Sequence, residues 1–184
     1  MKNTNRIGIG FIGGGFITRF HIKSLIGVRD CDVIGVMSKT RSSAEESCAI
    51  SKALGVGEAK PYNSVTDMVS DPAINALWIC APNFTRLEIM EEIVNAIESG
   101  KGELIGIACE KPLGRNVKEA KQMLALAKKV DLLDGYLENQ VFAPSVTKGK
   151  EIIWERGAST TGRPYLARAS EEHSGPHMPW FWEG

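Results

Sequence analysis

Short apolar runs alternate along this chain with longer segments in which apolar residues return every three or four positions. That rhythm marks βαβ units built around a mostly parallel sheet. Six strands are expected: Ile7–Ile12, Asp32–Met37, a weak one at Lys60–Tyr62, Ala76–Ala81, Leu104–Cys109 and Leu132–Leu137. Most of them read as buried on both faces, as parallel strands are. Between them, Phe16 to Ile26 is expected to be helical, with Ile17, Phe20, Leu25 and Ile26 on one stripe. Ser42 or Ser43 is the expected cap of a helix holding Ala44, Cys48 and Leu54. Val65–Val69 reads as a short helix ended by Asp71-Pro72. Ile89, Ile93, Ala96 and Ile97 predict another, stopped by Gly100. Asn116, with Glu119 three residues on, caps a helix whose apolar face is Val117, Ala120, Met123, Leu124, Ala127 and Val130.

After Leu137 the rhythm changes. Ala143-Pro144 opens a further helix through Ile152, Ile153 and Trp154, and Tyr165–Ala169 is a candidate strand. The pattern divides the chain into residues 1–138, an α/β doubly wound, parallel-sheet domain, and residues 139–184 of different rhythm; the motifs and family resemblance below imply that the first is a dinucleotide-binding domain and the second the beginning of an α+β domain.

Composition narrows the function classes. The 184 residues carry 22 Lys plus Arg against 22 Asp plus Glu, so no bulk positive field exists to hold nucleic acid or an anionic membrane. A partner must be recognised by a local site. The charged start and apolar run at residues 1–17 mimic a signal peptide, but the glycines from Gly8 to Gly15 weaken such a helix and no small-x-small cleavage site follows. The four cysteines, Cys31, Cys48, Cys80 and Cys109, show no C-x-x-C spacing, which fits a reduced, cytoplasmic setting.

The strongest chemical signal is a strand running through glycines into a helix at Gly13-Gly14-Gly15-Phe16-Ile17-Thr18. Such a turn lets backbone N–H groups and the positive end of the helix approach a pyrophosphate without interference from Cβ atoms. Two registers of G-x-G-x-x-G compete. Gly8, Gly10 and Gly13 satisfy the spacing but lie within the strand; Gly13 and Gly15 stand at the turn, and that second register is the one adopted. Gly13, Gly15, Phe16 and Ile17 are therefore candidate cofactor contacts. About twenty residues on, where an Asp or Glu binds the ribose of NAD, the sequence reads Ser38-Lys39-Thr40-Arg41. Ser38, Lys39 and Arg41 suit a 2′-phosphate and lean toward NADP over NAD.

The glycine turn continues to Thr18-Arg19-Phe20-His21, the fourth strand ends in Ala81-Pro82-Asn83, the fifth in Cys109-Glu110-Lys111-Pro112, and Asn139-Gln140-Val141-Phe142-Ala143-Pro144 follows the sixth. Together these resemble the glucose–fructose oxidoreductase / inositol dehydrogenase (Gfo/Idh/MocA) family, whose motifs are G-x-G-x-I-A-x-x-H, T-P-N-x-x-H, E-K-P and N-x-R-F-x-P. Thr18, Arg86 and Val141 depart from those motifs, and Arg86 and Val141 put substrate preference in question. The resemblance implies an NAD(P)-dependent oxidoreductase moving hydride between nicotinamide and a sugar- or polyol-like secondary alcohol or its ketone. It also implies that the D-x-x-x-H pair of a second domain lies beyond this chain, which corresponds to the N-terminal half of a longer, self-associating protein. The alternative is a non-catalytic nucleotide-binding or regulatory module.

Within that resemblance Lys111 is the catalytic candidate: an ammonium at a strand end, desolvated beside the substrate hydroxyl, orients it and eases its deprotonation. In the family the bond from this lysine to the following proline is often cis. Ala81, Pro82 and Asn83 would line the nicotinamide half, with Asn139 near the ring and Glu110 pairing with Lys111 or lining the cofactor. Cys109 reads as core, not nucleophile. His173 and His177 stand four apart, but Gly175 and Pro176 break the helix that a shared metal would need, so no metal is expected.

Overall fold

The computed structural model describes residues 6–170 and 172. It divides into two compact units, residues 1–138 and 139–184. In the first, strands β1 (Ile7–Ile12), β2 (Cys31–Met37), β3 (Lys60–Tyr62), β4 (Ala76–Ile79), β5 (Gly106–Glu110) and β6 (Leu133–Leu137) form one sheet. The order is β3-β2-β1-β4-β5-β6, and every pairing is parallel. This is the doubly wound order, whose ligand crevice lies at the carboxyl ends of the strands where the order reverses, between β1 and β4.

Helices α1 (Phe16–Ser24), α2 (Arg41–Ala53), α3 (Val65–Ser70), α4 (Arg86–Glu98) and α5 (Val117–Lys129) cover the sheet. Side chains alternate between its two faces, so two cores form. Ile9, Phe11, Val33 and Val36 meet Ile22 of α1 and Ala44 and Cys48 of α2 on one face. Ile12, Leu77, Ile79 and Ile107 meet Met68 of α3, Met90 and Ile93 of α4 and Met123 of α5 on the other. Each fully buried Val, Leu, Ile, Phe or Met among them stabilises the fold by about 1.5–3 kcal/mol.

The glycines inside β1 belong to this packing. A Cβ on Gly10 would come 2.5 Å from Met68 Cε and 2.8 Å from Leu77 Cδ2, and one on Gly8 would lie 1.8 Å from the Ala73 carbonyl oxygen. Neither faces a ligand, which leaves Gly13 to Gly15 as the turn.

Several expectations change. The buried residues of α1 are Thr18 and Ile22, with Leu25 buried as expected in the 3₁₀ turn that follows, whereas Phe20 and Ile26 are exposed. The helix is rotated because Thr18 is drawn inward to the glycine turn. α2 starts earlier than either serine: its N-cap is Thr40, whose carbonyl accepts from the Ser43 and Ala44 amides. Arg41 and Glu45 then form an i,i+4 pair within the helix. Asn116 caps α5 as expected, its side chain accepting from the Glu119 amide at 3.0 Å. β6 pairs only with β5 and is largely exposed, including Leu133 and Tyr136, so it lacks the two-sided burial of β1.

In the second unit, α6 (Pro144–Lys150) begins with its proline in the first turn. It continues through one π-helical stretch, Glu151–Gly157, into α7 (Ala158–Thr161). Tyr165–Ala169 is not a strand: it is irregular and exposed, and pairs with no other segment among the described residues. An isolated strand leaves its N–H and C=O groups without partners, so an apolar run alone does not make one. His173 and His177 lie outside the described residues.

Candidate functional site

The glycine turn is built so that each of its three residues has a different constraint. Gly13 has φ +103°, a region that L side chains rarely adopt, and a Cβ there would lie 2.8 Å from Ala81 N and 2.9 Å from Cys80 C. Gly14 sits against the start of α2, where a Cβ would be 2.8 Å from the Ser43 carbonyl group. Gly15, the N-cap of α1, has φ −83° and ψ −166°, and a Cβ there would meet nothing within 4 Å. The first two glycines are required by protein packing. The third opens onto free space at the helix start.

Two buried hydroxyls set the peptide planes of this turn. Thr18 Oγ1 donates to the Gly13 carbonyl at 2.5 Å, and Ser47 Oγ on α2 donates to the Gly14 carbonyl at 3.0 Å. Both side chains are fully buried. In a trans peptide the N–H points opposite to the C=O. Holding these carbonyls from the protein side therefore turns the Gly14 and Gly15 amides away from it. With the unpaired N–H groups of the first turn of α1, they form an anion-seeking edge. The residues fit a pyrophosphate: the donors are backbone amides, and a Cβ at residue 15 would occupy the approach.

The other candidate residues of the first unit follow neighbouring strand ends. Gly13 N donates to Met37 O at 2.7 Å, tying the turn to the end of β2, where half-buried Ser38 and exposed Lys39 follow. Arg41 opens α2; its Nε donates to Glu45 at 3.0 Å and its Nη1 to Asn63 Oδ1 at 2.9 Å. Ala81 lies against Gly13, and Pro82 and Asn83 lead through a 3₁₀ turn into α4. Phe16 is exposed and Ile17 half-buried on the first turn of α1. Asn139 begins the second unit and is exposed.

Glu110 and Lys111 close the edge at β5. The Lys111–Pro112 bond is cis, as the motif implies. Lys111 itself is exposed, and Glu110 is buried. Glu110 Oε1 lies 2.8 Å from His21 Nε2 on α1, while Oε2 accepts the Lys111 backbone N–H at 3.1 Å. Burial pushes the Glu110 carboxyl up, but the His21 hydrogen bond and charge, with the Lys111 amide and charge, outweigh it and hold its pKa below the ordinary value. The Cys109 thiol is raised by burial to about 11 and the Cys80 thiol to about 12, so neither offers a thiolate near neutral pH. Among the described residues no group of three or more His, Cys, Asp or Glu could hold a metal ion.

Four residues that shape this edge, Thr18, Ser47, His21 and Arg86, were not among the candidate site residues of the sequence. Thr18, His21 and Arg86 did stand in the motifs, and their partners were hidden. Arg86, where the family pattern has histidine, does not line an open pocket. It is 5% exposed, and its guanidinium donates to the backbone carbonyls of Ala81, Glu110 and Pro112.

Comparison with known proteins agrees with this architecture. A family model for the Gfo/Idh/MocA oxidoreductases, described as an NAD-binding Rossmann fold, matches residues 7–133. The chain is 29% identical over 159 residues to the 1,5-anhydro-D-fructose reductase of Ensifer adhaerens, covering 86% of this chain and 43% of the relative. It is 27% identical over 168 residues to the myo-inositol 2-dehydrogenase of Thermotoga maritima, covering 91% of this chain and 46% of the relative. Among solved structures, GenD2 from gentamicin A biosynthesis, in complex with NAD, superposes with a TM-score of 0.69 at 21% identity over 84% of this chain and 40% of its own. A probable dehydrogenase from Thermotoga maritima gives 0.66 at 25% identity, covering 81% and 41%. The chain thus spans less than half the length of these curated relatives. Its doubly wound sheet, its glycine turn and the match over residues 7–133 make it a member of the Gfo/Idh/MocA oxidoreductase family, of which it carries the NAD-binding Rossmann domain.

Proposed function

We propose that this chain is the cofactor-binding part of an NAD(P)-dependent oxidoreductase that moves hydride between nicotinamide and a secondary alcohol of a sugar- or polyol-like substrate, or the corresponding ketone. Open space over Gly15 carries the reading, because it sits beside two glycines that packing alone requires. The amides of Gly14 and Gly15 and the start of α1, with Phe16 and Ile17, take the pyrophosphate. Ser38, Lys39 and Arg41 take the adenosine ribose. No carboxylate lies between Met37 and Arg41, and Arg41 sits at the positive end of α2 on an exposed pair that costs little to redirect, so NADPH is the preferred form.

Ala81, Pro82, Asn83 and Glu110 line the nicotinamide end. The nicotinamide, when bound, supplies the hydride acceptor or donor. Lys111 holds the substrate hydroxyl and relays its proton to solvent in oxidation, or returns one to the carbonyl oxygen in reduction. His21 and Glu110 keep the strand end beneath it in place. Residues 139–184 open a substrate and association domain, the full-length protein self-associates, and the setting is the cytoplasm; no helix of the described residues is long and apolar enough to cross a membrane.

The test is titration of NADH and NADPH into the chain, followed by the fluorescence of the reduced nicotinamide. Saturable binding with NADPH favoured is expected. A chain with a folded circular dichroism spectrum that binds neither would overturn the proposal.

A further inference from the structure

Arg86 is placed against local preference. A cation in the first turn of a helix opposes the helix dipole, and Arg86 is the first residue of α4. It is also almost fully buried, where a charge is costly unless its donors are satisfied. Its partners explain the placement. Nε donates to the Ala81 carbonyl at 2.8 Å, at the end of β4, and Nη1 donates to the carbonyls of both Glu110 and Pro112. Those two carbonyls flank Lys111 on either side. One rigid guanidinium therefore joins the ends of β4 and β5 beside the crevice and grips the main chain around the lysine from beneath.

From the other side, His21 of α1 holds the Glu110 side chain, whose second oxygen accepts the Lys111 amide. The segment is thus braced by two helices, through a carboxylate above and a guanidinium below.

We infer that Arg86 is a positioning residue: it fixes Glu110–Pro112 against Ala81, so that the nicotinamide-facing end of the site is preformed while the pyrophosphate end, held by Thr18 and Ser47, is independent of it. This rests on the proposed placement of a dinucleotide along the strand ends. A guanidinium suits the role because its donors form a fixed fork and it keeps its charge at every accessible pH. Lysine offers charge without the fork, and methionine offers neither.

ADP-ribose, which lacks the nicotinamide, separates the two ends of the site. NADH and ADP-ribose are titrated into wild type, Arg86→Lys, Arg86→Met and Arg86→His, with circular dichroism melts of each. Wild type is expected to bind NADH more tightly than ADP-ribose. In Arg86→Lys and Arg86→Met, affinity for NADH falls on the order of tenfold or more, toward that for ADP-ribose, while ADP-ribose affinity stays at the wild-type value. Arg86→His, whose neutral ring offers one N–H donor and no fork, falls with Arg86→Lys. A wild-type ratio of the two affinities in Arg86→Lys overturns the inference, even if Arg86→Met fails to fold. Loss of both ligands in equal proportion from folded variants also overturns it and leaves Arg86 a general structural residue. Wild type that binds neither ligand, or both equally, contradicts instead the placement of the dinucleotide on which the inference rests.

Discussion

Alanine at Gly13 and at Gly15 should have opposite consequences, although the two residues are two apart in one turn. At Gly13 the backbone has φ +103°, and holding alanine there costs about 1–3 kcal/mol. Its Cβ would also lie 2.8 Å from Ala81 N and 2.9 Å from Cys80 C, backbone atoms at the end of β4 that have no rotamer to yield. Overpacking of that kind costs about 1–3 kcal/mol. Against this, replacing glycine stabilises by about 0.4–1 kcal/mol through the unfolded chain. The net loss is about 1–5 kcal/mol, which for a chain of this size lowers Tm by roughly 2–20 °C. At Gly15, φ is −83° and a Cβ meets nothing within 4 Å. The weaker capping of alanine and the gain from the unfolded chain nearly cancel, so stability stays within about 1 kcal/mol of wild type and Tm within about 4 °C. The methyl group instead occupies the approach to the Gly14 and Gly15 amides, and NADH affinity falls on the order of tenfold or more. Circular dichroism melts and fluorescence titrations of both variants decide the matter. A Gly13→Ala protein that melts with wild type would refute the packing argument, and a Gly15→Ala protein that binds NADH as wild type does would refute the placement of the pyrophosphate.

Three further outcomes follow from named contacts. Arg41→Ala should abolish the preference for NADPH over NADH while leaving NADH affinity within about threefold, since an exposed arginine contributes mainly through the charge it meets; an unchanged ratio in paired titrations would remove Arg41 from the site. Glu110→Gln should destabilise the chain by about 1–2 kcal/mol at pH 7. Because the Glu110 pKa is held below its ordinary 4.5, that contribution is complete above 4.5 and is lost as pH falls through the folded-state value, so melts of wild type and variant should converge in acid. Asp71, held by the Lys60 ammonium at 2.9 Å and the Tyr62 hydroxyl at 2.7 Å, has its pKa lowered to about 2. Asp71→Asn should cost about 1 kcal/mol after allowance for solvent screening, and the difference should disappear between about pH 4 and pH 2.

The position of β1 was legible because a parallel strand buried on both faces appears as an unbroken apolar run, and β1 has the expected bounds, as does the short edge strand β3. The limits of β4 and β5 moved by one or two residues, because pairing with neighbours, not hydropathy, ends a strand. The same rule explains why Tyr165–Ala169, apolar enough, is no strand. The N-cap of α5 was legible from Asn116 and Glu119 alone, since that cap is a contact three residues long. What stayed hidden depends on partners far apart in sequence. Thr18 looked like a departure from a small residue until its hydroxyl met the Gly13 carbonyl, and the α1 stripe turned with it. Ser47 reaches Gly14 across 33 residues and His21 reaches Glu110 across 89, separations that no periodicity encodes. Arg86 read as a change in substrate preference because its motif position implies the crevice, whereas its side chain turns into the protein to meet main-chain carbonyls.

A dinucleotide bound as proposed lies along the carboxyl ends of β1, β2, β4 and β5. Backbone amide shifts of the isotopically labelled chain, recorded as NADH is added, test that placement most directly. The largest shifts are expected on Gly13 to Ile17, Ser38 to Arg41, Ala81, Asn83, Glu110 and Lys111, and ADP-ribose should reproduce the first two groups without the last four residues. Shifts concentrated elsewhere, such as on Thr66 and the face of α4 around Glu92, with the glycine turn unmoved at saturation, would contradict it.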